Sequence, residues 1–146
     1  MTNAIEPSSL SAARGAVVVL IVDLFFSVTI RATLRRLGFD AVLVGRVEQA
    51  ADRVAGDDVR LVVVDGTAVR AVEDWQQLGQ IDDDGVPVLV FGPHKDVDTL
   101  RAAKDAGVTR VVANSQFHRD MAALVERYAL TTATHRRETG ASDPPA

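Results

Sequence analysis

Three uninterrupted apolar runs constrain the fold of this 146-residue chain more than any other feature. They are AVVVLIV (16–22), LVVV (61–64) and VPVLVF (86–91). A strand with one face in water alternates apolar and polar residues, so these unbroken runs predict parallel strands that are buried on both faces. The first run is too short to span a bilayer and follows no signal peptide, which predicts a soluble, cytoplasmic protein.

Amphipathic segments alternate with the strands along the chain. Strands are predicted at 16–23, 40–45, 60–65, 86–92 and 109–113, and helices at 27–38, 47–56, 67–81, 96–107 and 115–130. Five strands that alternate with five helices form, through right-handed crossovers, an α/β doubly wound parallel sheet with helices on both faces.

Local signals refine the predicted helices. Apolar residues at helical spacing predict one buried face of the third helix, made of Val72, Trp75 and Leu78. Gly79 is expected to end that helix, because glycine is favoured just after a helix C-terminus. Asp96 and Ser115 are candidate N-caps of the fourth and fifth helices.

Composition excludes several classes of function. The net charge is −4 and no basic stretch is concentrated anywhere, which disfavours nucleic-acid binding. The absence of cysteine excludes disulfides and thiolate metal sites. Residues 1–14 are polar and turn-prone, so a flexible leader is expected there. Residues 131–146 lack apolar periodicity and predict a disordered tail, which leaves residues 15–130 as one domain.

Ligand sites of doubly wound sheets lie beyond the carboxyl ends of the strands. The residues at those ends are Asp23, Gly45, Asp65, Gly92 and Asn114. From spacing alone, Asp23 and Asp65 are interpreted as acids that cap the turn or helix after each strand.

Other charged residues near this edge are predicted to be exposed. The acidic run Asp82–Asp84 is interpreted as a solvated loop, since three adjacent carboxylates do not readily converge on one cation. His94 and Lys95 are interpreted as an exposed loop pair rather than as electrostatic partners of Asp65. His118 lies at no metal-ligand spacing from another histidine.

Four segments, taken in order, resemble one known family. They are VLIVDLFFSVTIRATLRRLGF (19–39), RLVVVDGTA (60–68), VPVLVFG (86–92) and LRAAKDAGVTRVVANSQF (100–117). Together they resemble the receiver domain of bacterial two-component response regulators, over roughly residues 16–130. The resemblance implies a flavodoxin-like sheet of order 2-1-3-4-5. It also places Asp65 where that family accepts a phosphoryl group from a histidine kinase.

The residues around Asp65 depart from the family pattern. The family has two adjacent acids after the first strand, and here Leu24 follows Asp23. It has Ser or Thr after the fourth strand, where this chain has Gly92. It has Lys, usually followed by Pro, after the fifth strand, where this chain has Asn114 and Ser115.

These departures leave three functions open. The first is an atypical stand-alone receiver domain (a pseudo-receiver) that is not an enzyme and acts as a signalling adaptor without normal phosphorylation switching. The second is an active regulator that is phosphorylated on Asp65, with Mg²⁺ held weakly by Asp23, Asp65 and the backbone carbonyl of Thr67. The third is a small-ligand-binding domain that uses a cleft near Gly66 and Gly92.

The resemblance also implies partners. The first helix, which carries Arg31, Arg35 and Arg36, is the side that kinases contact in the family. Residues 96–130 form the face through which many members make homodimers. Signalling proteins, among them a histidine kinase, are therefore the expected partners, and direct binding to nucleic acid or a membrane is not expected.

Overall fold

The computed structural model describes residues 14–56 and 58–130. The strands are β1 (Ala16–Leu20), β2 (Asp40–Val44), β3 (Val59–Asp65), β4 (Val88–Gly92) and β5 (Arg110–Ala113). The helices are α1 (Leu24–Arg36), α2 (Val47–Gly56), α3 (Val72–Asp83), α4 (Val97–Asp105) and α5 (Asn114–Ala129). The predicted tail (131–146) and all but the last residue of the predicted leader lie outside the described residues.

All strand pairs are parallel, and the sheet order is β2-β1-β3-β4-β5. The predicted fold class and strand order are therefore confirmed. In the central pair, Val19 of β1 lies opposite Val63 of β3.

No helix within the described ranges is long and apolar enough to span a bilayer.

The sheet has a separate apolar core on each face, which explains the unbroken apolar runs. Alternate residues such as Val17, Val19 and Val63 pack on the side of α1 and α5. Their neighbours, such as Val18 and Val62, pack on the side of α2, α3 and α4. Because successive side chains of a strand point to opposite faces, every position of β1 has to be apolar.

The third helix differs from its prediction at both ends. It begins at Val72 rather than 67, because a 3-10 turn (Gly66–Ala68) follows β3. Trp75 and Leu78 are buried as expected, but Val72 is 66% exposed. The prediction that Gly79 ends the helix is wrong, since α3 continues to Asp83.

Gly79 instead allows a close contact between helices. A Cβ atom at this position would lie 2.3 Å from the carbonyl oxygen of Ala106, which follows α4. Only glycine fits at that distance without movement of the backbone.

The prediction of a solvated acidic loop is wrong for Asp82, whose side chain is buried. Its Oδ2 accepts hydrogen bonds from the backbone N–H of Val88 (3.1 Å) and from the hydroxyl of Thr109 (2.6 Å). The carboxylate thereby ties the end of α3 to the start of β4 and to the segment before β5. Asp83 and Asp84 are exposed, as expected.

The N-caps of α4 and α5 have different outcomes. Asp96 caps α4 as predicted, with its side chain accepting from the Thr99 N–H at 3.2 Å. Ser115 is not an N-cap, because α5 begins one residue earlier and no side chain caps it.

Asp120 has non-helical dihedral angles (φ −113°, ψ 20°), so α5 is kinked after its first turns.

Candidate functional site

A cleft of about 470 Å³ lies at the carboxyl end of the sheet, between the first turn of α1 and the start of α5. Nine of the described residues line it: Asp23, Phe25, Phe26, Thr29, Asp65, Thr67, Phe91, Asn114 and His118. The structure thus brings together five of the residues singled out in the sequence, namely Asp23, Asp65, Thr67, Asn114 and His118.

Asp65 ends β3 and is only 8% exposed. Its Oδ1 accepts hydrogen bonds from the backbone N–H of Thr67 (3.0 Å) and from the Thr67 hydroxyl (2.7 Å). This is the local capping that the strand-end spacing predicts. The other carboxylate oxygen, Oδ2, has no hydrogen-bond partner among the described residues.

Asp23 is the N-cap of α1 and is exposed. Its Oδ1 accepts a hydrogen bond from the backbone N–H of Phe26 at 3.1 Å. Both cleft carboxylates therefore satisfy backbone groups at the start of a helical turn, as the spacing alone predicts. Among the described residues that line the cleft, these two are also the only acids.

The positions that depart from the receiver pattern contribute little to the cleft. Leu24 is 79% exposed and does not line it, and Ser115 does not line it either. Gly92 has no side chain to present, and a Cβ there would touch Leu100 at 3.4 Å. Asn114 lines the cleft with a neutral amide.

Fixed positive charge is absent from the described residues that line this cleft. His94 and Lys95 are exposed, as expected, and lie outside the lining. His118 is the one histidine among these described lining residues. Among residues 14–56 and 58–130, no group of three or more His, Cys, Asp or Glu side chains is arranged to hold a metal.

Aromatic side chains form a wall that the sequence interpretation missed. The rings of Phe26 and His118 stack with their centroids 3.9 Å apart and their planes at 15°. The ring of Phe26 also packs edge to face against the rings of Phe91 and Phe117, with centroid distances of 5.4 and 5.9 Å. The rings of Phe91 and Phe117 stack on each other with their centroids 4.3 Å apart. The sequence shows these residues only as scattered aromatics, because the packing of α1 against α5 brings them together.

A second cleft, of about 550 Å³, lies between the turn after β3 and the start of α4. Thr67 lines both clefts, and Arg70, Trp75 and Asp98 are among the other lining residues of the second. Neither cleft is lined by Gly66 or Gly92. Gly66 is buried, and a Cβ there would lie 2.8 Å from the Thr99 methyl carbon. Neither of these two clefts is therefore the glycine-lined cleft of the third alternative.

Comparison with known proteins identifies the fold. No protein-family model matches the sequence, and no curated protein matches it. Solved structures do match. NtrX from Brucella abortus superposes with a TM-score of 0.68 at 18% identity, over 86% of this chain and 29% of NtrX. Full-length FixJ from B. japonicum superposes with a TM-score of 0.69 at 19% identity, over 87% of this chain and 63% of FixJ.

A response regulator from Thermotoga maritima has nearly the same extent as the described chain. Its TM-score is 0.64 at 16% identity, over 78% of this chain and 96% of the regulator. The chain spans less than a third of the length of NtrX and slightly less than two thirds of FixJ. At these identities the similarity concerns fold. The chain has the fold of response-regulator receiver domains, with its cleft at the carboxyl end of the sheet, where ligand sites of doubly wound sheets lie.

Proposed function

We propose that this chain is a cytoplasmic, receiver-like signalling adaptor that works through protein contacts and without normal phosphorylation switching. The observation that carries the proposal is the charge of the cleft. It contains a nearly buried carboxylate, Asp65, and a second carboxylate, Asp23, with no Lys or Arg among the described residues that line it.

Phosphoryl transfer to a carboxylate brings two anionic groups together. Its rate depends mainly on positioning and on cations that stabilise the developing charge. Asn114 can donate only a neutral hydrogen bond, which is weaker than the charge-assisted bond of a lysine. Leu24 removes one of the acids that would help to hold a divalent cation. A phosphoryl group on Asp65 would therefore be poorly stabilised.

Transmission of a phosphorylation signal is also impaired. In the family, a hydroxyl residue after the fourth strand bonds the phosphoryl oxygens. Gly92 occupies that position and has no side chain that could move toward the site. We infer that the domain rests in one conformation and presents constant surfaces to its partners.

Two surfaces are proposed for those partners. One is α1, whose Arg31, Arg35 and Arg36 are exposed. The other is the face formed by residues 96–130, through which a homodimer or a signalling partner such as a histidine kinase would bind. The role is one of recognition rather than catalysis, and no direct contact with nucleic acid is proposed.

An active phosphoacceptor is the second candidate, and one observation favours it. Asp65 keeps one carboxylate oxygen, Oδ2, without a hydrogen-bond partner among the described residues. Mg²⁺ often binds through one or two carboxylates and several waters. Asp23 and Asp65 would then hold the ion, with the backbone carbonyl of Thr67 as a further ligand, and the ion would neutralise charge during phosphoryl transfer.

Intact-mass measurement separates the two candidates. The protein is incubated with Mg²⁺ and acetyl phosphate, beside an Asp65→Asn variant as the control. The adaptor proposal expects no phosphoryl adduct on either protein. An adduct that forms on the wild type and is lost in the variant would establish the active regulator instead.

A further inference from the structure

The cleft combines negative charge with aromatic surface, and this combination suits an organic cation. Asp23 and Asp65 supply two carboxylates, and Phe25, Phe26 and Phe91 supply aromatic rings. An ammonium or guanidinium group binds over an aromatic face within about 6 Å of the ring centroid. A carboxylate beside the ring adds a charge-assisted hydrogen bond.

Asp65 provides an unused acceptor for such a group. The residue is only 8% exposed, yet its Oδ2 accepts no hydrogen bond from the described residues. Thr67 occupies only Oδ1 and so holds the carboxylate in a fixed orientation. Because Asp65 lines the cleft and its Oδ2 accepts no hydrogen bond from the described residues, this oxygen can accept a charge-assisted hydrogen bond from a cationic ligand.

Phe25 provides an aromatic face that no other described side chain covers. The residue lines the cleft although it is 92% exposed. Phe26, in contrast, already uses one face against His118. The cleft therefore has one free aromatic ring at its mouth and a fixed aromatic wall behind it.

An apolar rim lies beside the cleft, on the segment that carries Phe25. Seven large apolar side chains of the described residues are well exposed, and four of these lie together in the segment 22–28: Val22, Leu24, Phe25 and Val28. A contiguous exposed apolar patch next to a charged pocket is typical of a protein-interaction site. A small free amine would leave this rim unused.

We propose that a partner protein docks on this end of the domain by inserting a Lys or Arg side chain into the cleft. The cation lies against Phe25 and bonds to Asp65, and apolar residues that flank it in the partner pack on Leu24 and Val28. The proposal rests on the adaptor function and adds the chemistry of the partner, which is a basic residue between apolar ones.

Charge complementarity favours this occupant over others. An anionic lipid surface or a phosphopeptide would meet Asp23 and Asp65 at the same end of the molecule and be repelled. A hydrated Mg²⁺ ion would gain nothing from the apolar rim or from the aromatic rings. A basic residue flanked by apolar ones satisfies the carboxylates, the ring and the rim together.

Titration followed by amide NMR tests the proposal. The probe is a capped peptide with one lysine between two leucines, and the control replaces the lysine by norleucine, which has a similar length and no charge. We expect the lysine peptide to shift the amide signals of Phe26 and Thr67, and the norleucine peptide to bind much more weakly.

Three variants locate the contact. Phe25→Ala should weaken binding about two- to fivefold, the range expected for an exposed cation–π contact. Asp65→Asn should weaken it by at least as much, because the carboxylate charge is lost. Val97→Ala, at an exposed valine outside the cleft, should bind as the wild type does.

Three results would overturn the proposal. They are equal binding of both peptides, no cleft shifts at the highest soluble peptide concentration, and binding of n-butylammonium but not of the peptide. A failure here would leave the wider adaptor function intact, because acetyl phosphate treatment tests that function separately.

Discussion

Burial separates three identical side chains in the run Asp82–Asp84. Asp82 is buried and hydrogen-bonded, whereas Asp83 and Asp84 are exposed. The sequence offers no means to distinguish them, because the partners of Asp82 belong to the start of β4 and to the segment before β5. Asp65 was easier to interpret, since its partner Thr67 is only two residues away. Capping contacts within a few residues are predicted correctly for Asp65 and Asp96 but not for Ser115, and contacts across the fold cannot be predicted from the sequence.

Asp82→Ala should lower the free energy of unfolding by about 1.5–3 kcal/mol, the usual contribution of hydrogen bonds to a charged group. The loss arises because the N–H of Val88 and the hydroxyl of Thr109 lose their acceptor. Asp83→Ala is the matched control and should change stability by no more than about 0.5 kcal/mol. Urea denaturation measures the free energy of unfolding of both variants. An equal decrease in the two variants would show that the buried hydrogen bonds of Asp82 do not stabilise the fold.

Elements pack in ways that local sequence rules do not report. Glycine near the end of an apolar helical pattern predicts a helix end, and Gly38 and Gly107 follow that rule with positive φ angles. Gly79 does not follow this rule. It lies inside α3, where the absence of a side chain leaves room for the backbone carbonyl of Ala106. The start of α3 was predicted too early for a related reason, since the turn that Asp65 caps takes up residues 66–68.

Gly79→Ala tests the contact between α3 and the end of α4. Helix propensity alone would make alanine more stable than glycine by about 1 kcal/mol. The Cβ would lie 2.3 Å from a backbone oxygen, and such overpacking costs about 1–3 kcal/mol. We therefore expect a net loss of up to about 2 kcal/mol in the free energy of unfolding, measured by urea denaturation.

Gly56→Ala is the matched control for that substitution. A Cβ at Gly56 would meet nothing within 4 Å, so this variant should be neutral or slightly stabilised. A stabilised Gly79→Ala protein would mean that α3 and α4 can separate at little cost.

The aromatic wall joins α1 to the first turns of α5. The stack of Phe26 on His118 should contribute about 0.5–1.5 kcal/mol beyond its buried area. A double-mutant cycle with Phe26→Leu and His118→Ala, measured by denaturation, should show coupling of that size. A cycle of Phe26→Leu with Val97→Ala, outside the cleft and the aromatic wall, should be additive. Additivity in the first cycle as well would mean that the two rings are neighbours without a favourable interaction.

At the scale of the whole molecule, the sheet is the part that could be predicted. Apolar runs of strand length predict burial on both faces, and their alternation with helices predicts a doubly wound sheet, both of which the structure confirms. The strand order followed from the resemblance and is confirmed too. The walls of the cleft could not be predicted, because Phe26, Phe91 and His118 come from three distant segments that only the tertiary fold brings together.

The whole domain is expected to keep one conformation whether or not a phosphoryl mimic is present. A ligand shifts a conformational equilibrium only by its differential affinity for the two states. With Gly92 at the end of β4 and Asn114 after β5, a phosphoryl mimic lacks the hydroxyl after the fourth strand and the lysine after the fifth through which the family would favour a second state. Amide hydrogen exchange of β4, α4, β5 and α5 should therefore be the same with and without Mg²⁺ and beryllofluoride. Asp65→Asn measured in parallel controls for effects of the reagents. Slower exchange in these elements that depends on Asp65 would show that the domain retains a switch.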